Sequence, residues 1–370
     1  MKTVLFICGL FLLSTAQALT PAFTAPTTGI FSSYDVLDFK LTAPISTLLN
    51  AKKLSFFEVK KVSVQGTLSY TDNNQIIQIP VKINIKGFSS TQFCTLPKLE
   101  LKLDKALKQN TLFANVKSID LHTHCVEQDD ATAMDAVKAS FTAHREALIY
   151  RFMDVLEIPA FRARPIMMAY EDTDTPSIMQ AKTNYKYQAF FLEDYGDFRK
   201  RNNLKAIRGV NDVTKYDTAP DDLEKLASFV FTSVEQHPAV DRDDVARAVL
   251  FQNMIGNGDY FIQKTATGYR IDSATDENLW NMKLVENAAG KWIAIPQDFN
   301  FSLITTSYQV SLPLETEGWN LASAQAKQNI LTSFKNKKSE LLKTADTLSS
   351  DADVVKNHLE RFFLSIENLN

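Results

Sequence analysis

The chain has 370 residues, of which 45% are hydrophobic and 22% charged, and its formal net charge is −3. That balance excludes a disordered or low-complexity chain, and mild acidity without a basic stripe gives no footing to nucleic acid as a partner. The 25 phenylalanines imply a substantial core, held in one large domain or two closely packed ones.

Residues 1–18 read as a secretory signal peptide. Lys2 supplies the positive start, Val4 to Leu13 is an apolar run, and Ala16-Gln17-Ala18 fits the small-x-small cleavage rule. Cleavage is expected after Ala18, with export to the periplasm or beyond. No later segment is long and apolar enough to anchor the mature chain as an integral membrane protein. Residues 19–33, rich in Thr, Pro and Ala, are expected to form an extended arm.

From 34 to 126 the period is mostly two. Val62, Val64, Gly66, Leu68 and Tyr70 alternate with polar residues, Asp72-Asn73-Asn74 supplies a turn, and Ile77, Ile79, Val81, Ile83 and Ile85 alternate again. Leu99, Leu101 and Leu103 mark a further strand with Lys98, Glu100 and Lys102 on its other face, and Ile119, Leu121 and Thr123 mark another. Once the signal is removed two cysteines remain, Cys94 and Cys125. In an exported chain they read as one disulfide or, alternatively, as two buried thiols.

The period changes at about 131. Helical spacing runs to about 157 and stops at Glu157-Ile158-Pro159; short strands follow around 163–170 and 187–192. A helix is expected over 221–235, and Asp241 is a good N-cap for a helix running to Ile255. Residues 280–286 and 291–295 read as a hairpin around Ala288-Ala289-Gly290, and 322–369 as two helices broken at Ser349-Ser350-Asp351. The sum is α+β: a β-rich part over 34–195, including the helix of about 131–157, and a helix-rich part over 196–370, with a cleft between two lobes.

Two clusters carry chemistry. One is Lys86-Gly87-Phe88-Ser89-Ser90 followed by Lys98; the other is Gly256-Asn257-Gly258-Asp259, then Asn281, then Pro296-Gln297-Asp298-Phe299-Asn300. Small residues beside a lysine, then an Asp, an Asn and another Asp, are the parts phosphoryl transfer needs. Plainer readings stand beside this one: a strand-end turn for Gly87 to Ser90, an edge lysine for Lys98, and a helix stop followed by a turn acid for Gly256 to Asp259. Asp298 is harder to read as inert, because an acid among Ile293, Ile295, Phe299 and Phe301 requires a cation or hydrogen-bond partners. His122 and His124 share a strand face, but two ligands do not make a metal site.

Val81 to Ser90 with Lys98, His144-Arg145-Glu146-Ala147-Leu148, Tyr187 to Glu193, Asn257-Gly258-Asp259, Asn281 and Pro296 to Asn300 together resemble, in order, segments of the CotH-like atypical kinases. The resemblance implies a kinase-like fold of two lobes and transfer of the γ-phosphoryl of ATP, with Mg2+, to a hydroxyl on an envelope protein or small molecule; a kinase-like scaffold without catalysis is the alternative. It implies that Lys86, Gly87, Ser89 and Ser90 line the phosphate loop and that Lys98 contacts phosphate with Glu146 as its partner. It further implies that Glu193 sits near the base, Asp259 orients the acceptor, and Asn281 and Asp298 hold the metal.

Overall fold

The computed structural model describes residues 29–52, 62–87, 94–124, 143–175, 186–207, 239–258, 260, 281–300, 302–305, 317–348 and 351–367. The signal peptide, the first part of the arm, Ser89, Ser90, Cys125, Asp259 and the expected helix over 221–235 lie outside them.

Seven strands close into a barrel: β1 (Leu37–Ala43), β2 (Ser63–Asp72), β3 (Gln75–Ile85), β4 (Leu99–Leu103), β5 (Ser118–His122), β6 (Ala163–Asp172) and β7 (Lys186–Glu193), in the order β1-β2-β3-β4-β5-β7-β6. The β2–β3 hairpin forms as the alternation predicts, paired from Ser63↔Asn84 to Asp72↔Gln75. Its turn places Asn73 and Asn74 at φ 47° and 61°, the mirror-image geometry that matches strand twist. Inward residues, among them Phe39, Leu41, Leu68, Ile79, Val81, Leu101, Leu121, Ile166 and Phe191, form a closed core. Truncating one such leucine to alanine costs about 2–5 kcal/mol.

The expected fold, two kinase-like lobes with a β-rich one facing a helix-rich one, is overturned by this closure. β1 pairs antiparallel with β2 and parallel with β6, from Leu37↔Ile166 to Ala43↔Asp172. That parallel seam joins segments more than a hundred residues apart and turns an open sheet into a barrel of mixed strand direction. Alternation shows which residues face inward, but not which distant strand completes the ring. Gly66 marks the tight crossing: a Cβ there would lie 2.8 Å from Ala43 Cβ, Ile83 Cδ1 and the Thr42 carbonyl.

One barrel wall is apolar on both faces. On β7, Phe191 points inward, whereas Phe190 and Leu192 point outward into a second core. Helix α2 (Ala143–Val155) covers that wall and is buried along most of its length; α1 (Ile45–Lys52) lies beside β2, β3 and β6. The α2 helix ends as the sequence indicates. Glu157 takes φ 58° and the Ile158 amide donates to the Met153 carbonyl at 2.9 Å.

After β7 come α3 (Tyr195–Arg201), β8 (Lys205–Ala206), α4 (Arg242–Ile255), β9 (Met282–Glu286), β10 (Trp292–Pro296), α5 (Glu317–Asn320), α6 (Ala324–Ala345) and α7 (Ala352–Glu367). β8, β9 and β10 form a separate small sheet against which α4 packs. Asp241 caps α4 by accepting from the Asp244 amide, and Gly256 closes it at φ 66°. The two C-terminal helices occupy the predicted span; α6 rests on α2 and α7 on α4. Residues 29–32 form a turn rather than an extended arm, with Ile30 buried and its amide donating to the Leu112 carbonyl at 2.7 Å. Among the described residues no helix is long and apolar enough to cross a membrane.

Candidate functional site

The outer face of β3, β4 and β5 carries two rows of polar side chains. Asn84, Glu100 and Asp120 face one another across the three strands. One step along, the registers Ile85↔Leu99 and Leu99↔Leu121 bring Lys86, Lys98 and His122 into the next row. The Lys86 amide donates to the Lys98 carbonyl at 2.8 Å, so the segment between them leaves and re-enters the sheet at one point. Gly87 opens that segment at φ 86°, a conformation that glycine adopts without steric cost.

Three elements meet over this double row: the barrel wall, helix α2, and the turn after β10. Lys98 Nζ donates to Asp298 Oδ1 at 2.7 Å across 200 sequence positions, with side-chain exposures of 15% and 29%. Glu146, on the barrel-facing side of α2, is completely buried; its Oε1 accepts from the Phe299 amide at 3.3 Å and lies 3.6 Å from His122 Nδ1. The Asp298 amide in turn donates to the Tyr150 hydroxyl at 3.4 Å. Lys86 Nζ pairs with Asp120 Oδ2 at 2.5 Å.

Burial and charge oppose each other throughout. Burial pushes the Lys98 amine down, but Asp298 and Glu146 outweigh it and the group ends above its ordinary range. Burial pushes Glu146 up against the pull of Lys98 and the Phe299 amide. Asp120 is pushed up to about 6 by burial, despite Lys86. His122 is held well below its ordinary value, first by burial and then by Lys98. Lys98 and Tyr150 both feel the charges of Glu146, Asp298 and Asp120, so the cluster is one electrostatic unit.

Asn281 and Asp298 sit on adjoining chain. Met282 pairs with Pro296, and the Gln297 amide donates to the Asn281 carbonyl at 3.0 Å. Both adopt left-handed backbone, at φ 53° and 57°. Asn and Asp tolerate this region better than other non-glycine residues, and departures of this kind gather at binding sites. The Asp298 carboxylate is partly exposed and engaged among the described residues through Oδ1 alone. No group of three His, Cys, Asp or Glu side chains arranged to hold a metal occurs among the described residues.

Of the residues singled out from the sequence, Lys98, Glu146 and Asp298 converge, and Lys86, Gly87 and Asn281 adjoin them. Glu193 does not join them: it receives Arg201 at 2.6 and 2.9 Å and the Arg162 amide at 3.1 Å, a buried clamp that ties the last residue of α3 back to the end of β7. Cys94 is buried at the base of the loop, while Asp259, Ser89, Ser90 and Cys125 fall outside the described residues. His124 stacks on Tyr187 at 3.9 Å.

Asp120 and Tyr150 were missed by sequence reasoning, and His122 was weighed only as a metal ligand beside His124. The signal for Asp120 and His122 was present, since Ile119 and Leu121 as inward residues put both on the outer face. What was needed was that β5 lies beside β4. No family model matches the chain, and no curated protein matches it.

Proposed function

We propose that the chain binds a nucleoside triphosphate with magnesium at Lys98, Glu146 and Asp298 and transfers its terminal phosphoryl group to a hydroxyl outside the cytoplasm. The observation that carries this reading is the 2.7 Å contact of Lys98 with Asp298 beside a fully buried Glu146. A cation and two acids from a strand, a helix and a turn, converging in a partly exposed spot, are costly unless a ligand uses them.

In this reading Lys98 Nζ leaves Asp298 for a phosphate oxygen, and Glu146 holds the amine in place from behind. Asp298, with the neighbouring Asn281, holds the cation, which when bound neutralises charge on the phosphate oxygens. Gly87 and the Lys86–Asp120 pair set the start of the loop, whose Ser89 and Ser90 would approach the phosphates. Asp259 is the proposed acceptor-orienting residue. Glu193 is engaged by Arg201, so this reading gives it no direct hydrogen bond to the base.

The test is incubation of purified protein with γ-labelled ATP and Mg2+, alone and with envelope extract. Wild type should gain label or pass it to a partner, and D298A and K98A should not. Absence of both label transfer and any nucleotide-dependent rise in Tm, across nucleotides and divalent metals, would replace this reading with that of an envelope scaffold.

A further inference from the structure

We propose that His122 is a positioning residue for Glu146: its neutral imidazole carries the proton on Nδ1, facing Glu146 Oε1, and so favours the carboxylate orientation that leaves Oε2 for Lys98. His122 is 6% exposed, and its Nδ1 lies 3.6 Å from Oε1, with no hydrogen-bond partner among the described residues. The ring rests on Phe190 at 4.3 Å, which fixes its plane. A neutral imidazole in this orientation has two choices. A lone pair on Nδ1 would face a carboxylate oxygen and repel it; a proton there attracts it.

The Phe299 amide reaches the same oxygen at 3.3 Å. Oε1 therefore accepts one hydrogen bond, from the turn that carries Asp298, and faces the His122 ring nitrogen of the barrel wall at 3.6 Å. Oε2 is buried and has no hydrogen-bond partner among the described residues, and the lysine whose charge bears on Glu146 is Lys98. The arrangement leaves that oxygen for Lys98 when the lysine quits Asp298. A residue that never touches the ligand thus sets the direction of the acid that holds the lysine. The kinetic consequence rests on the reading under Proposed function; the proton position does not.

Two measurements separate them. Nitrogen-15 NMR of the imidazoles in the ligand-free protein, with His122 assigned by its loss in H122N, should show the Nδ1–H tautomer for this ring; an Nε2–H tautomer overturns the proposal. In Mg·ATP titrations H122A should weaken binding roughly tenfold or more. H122N should restore most of it, because the asparagine amide nitrogen stands where Nδ1 stood, and H122Q should not. Equal affinities of H122N and H122Q would also overturn it. Should wild type bind no nucleotide, the phosphotransferase reading fails while the tautomer remains measurable.

Discussion

Lys98 and Asp298 neutralise each other at 2.7 Å, so each is the group that the other's ligand has to displace. Phosphate alone must take Lys98 from Asp298 and leave a carboxylate uncovered; a cation alone must take Asp298 and leave an amine. Bound together they replace both charges at once. Metal and polyphosphate should therefore bind with positive coupling, beyond their association in solution. K98M should raise affinity for divalent cation without nucleotide, and D298N affinity for nucleotide without metal. Isothermal titration of the two variants checks this, and unchanged single-ligand affinities would refute it. In urea unfolding the K98M/D298N cycle should show a coupling of about 1–3 kcal/mol.

Asp120 gives a pH dependence of one sign. Its folded-state value of about 6 lies above its ordinary 3.8 because burial outweighs Lys86. The fold favours the protonated acid, so this stabilisation is complete below about pH 4 and is lost as pH rises through about 6. The shift corresponds to about 3 kcal/mol. The Lys86 pair that D120N would remove involves a lysine 44% exposed, worth about 0.5 kcal/mol. D120N should accordingly stabilise the protein at pH 7 by about 1–3 kcal/mol and flatten the stability curve between pH 4 and 6. Chemical denaturation across that range measures it.

His124 works in the opposite direction. Burial holds it down to about 3, from 6.5, so the fold favours the neutral ring. That stability is present above about pH 6.5 and is lost as pH falls through about 3, on the order of 5 kcal/mol at the limit. His122, His144 and His358 are depressed as well and add to the same acid-side loss. Neither ring nitrogen of His124 has a hydrogen-bond partner among the described residues, yet the ring stacks on Tyr187 at an interplanar angle of 16°. H124F keeps the stack and removes two unpaired polar atoms. It should gain about 1–2 kcal/mol at pH 7 and shift the acid midpoint downward, as read by circular dichroism against pH.

Local patterns predicted local structure well. The β2–β3 hairpin, the Asp241 cap, the β9–β10 hairpin and the two terminal helices each depend on neighbours within about ten residues, and each formed where turn and capping chemistry placed it. The barrel did not announce itself, because its seam is the parallel pairing of Leu37–Ala43 with residues 166–172. The candidate site was half legible. Lys98 and Asp298 drew attention through their surroundings, and Glu146 through resemblance. Asp120 has no unusual local sequence and His122 stood out only beside His124; what makes both notable at the site is a neighbour on another element. Glu193 is paired with Arg201, eight positions on, a contact that forms only when α3 folds back.

Gly256 tests whether the turn that follows α4 is held by fit as well as by backbone. It sits at φ 66°, and a Cβ there would lie 2.7–2.8 Å from three atoms of the Leu303 side chain. The Leu303 amide donates to the Gly256 carbonyl at 3.2 Å, so the segment beyond Asp298 lies directly against the helix stop. Alanine in left-handed backbone costs about 1 kcal/mol, and displacing Leu303 adds about 1–3 kcal/mol. G256A should thus destabilise by about 2–4 kcal/mol. The second contribution is steric, so L303A should recover part of it: the double variant G256A/L303A should lose less than the sum of the single losses. Strict additivity in denaturant unfolding would mean that Leu303 moves aside freely. Gly256 would then be a backbone requirement alone, and the turn carrying Asp298 would be positioned by the Glu146 and Tyr150 contacts with its amides.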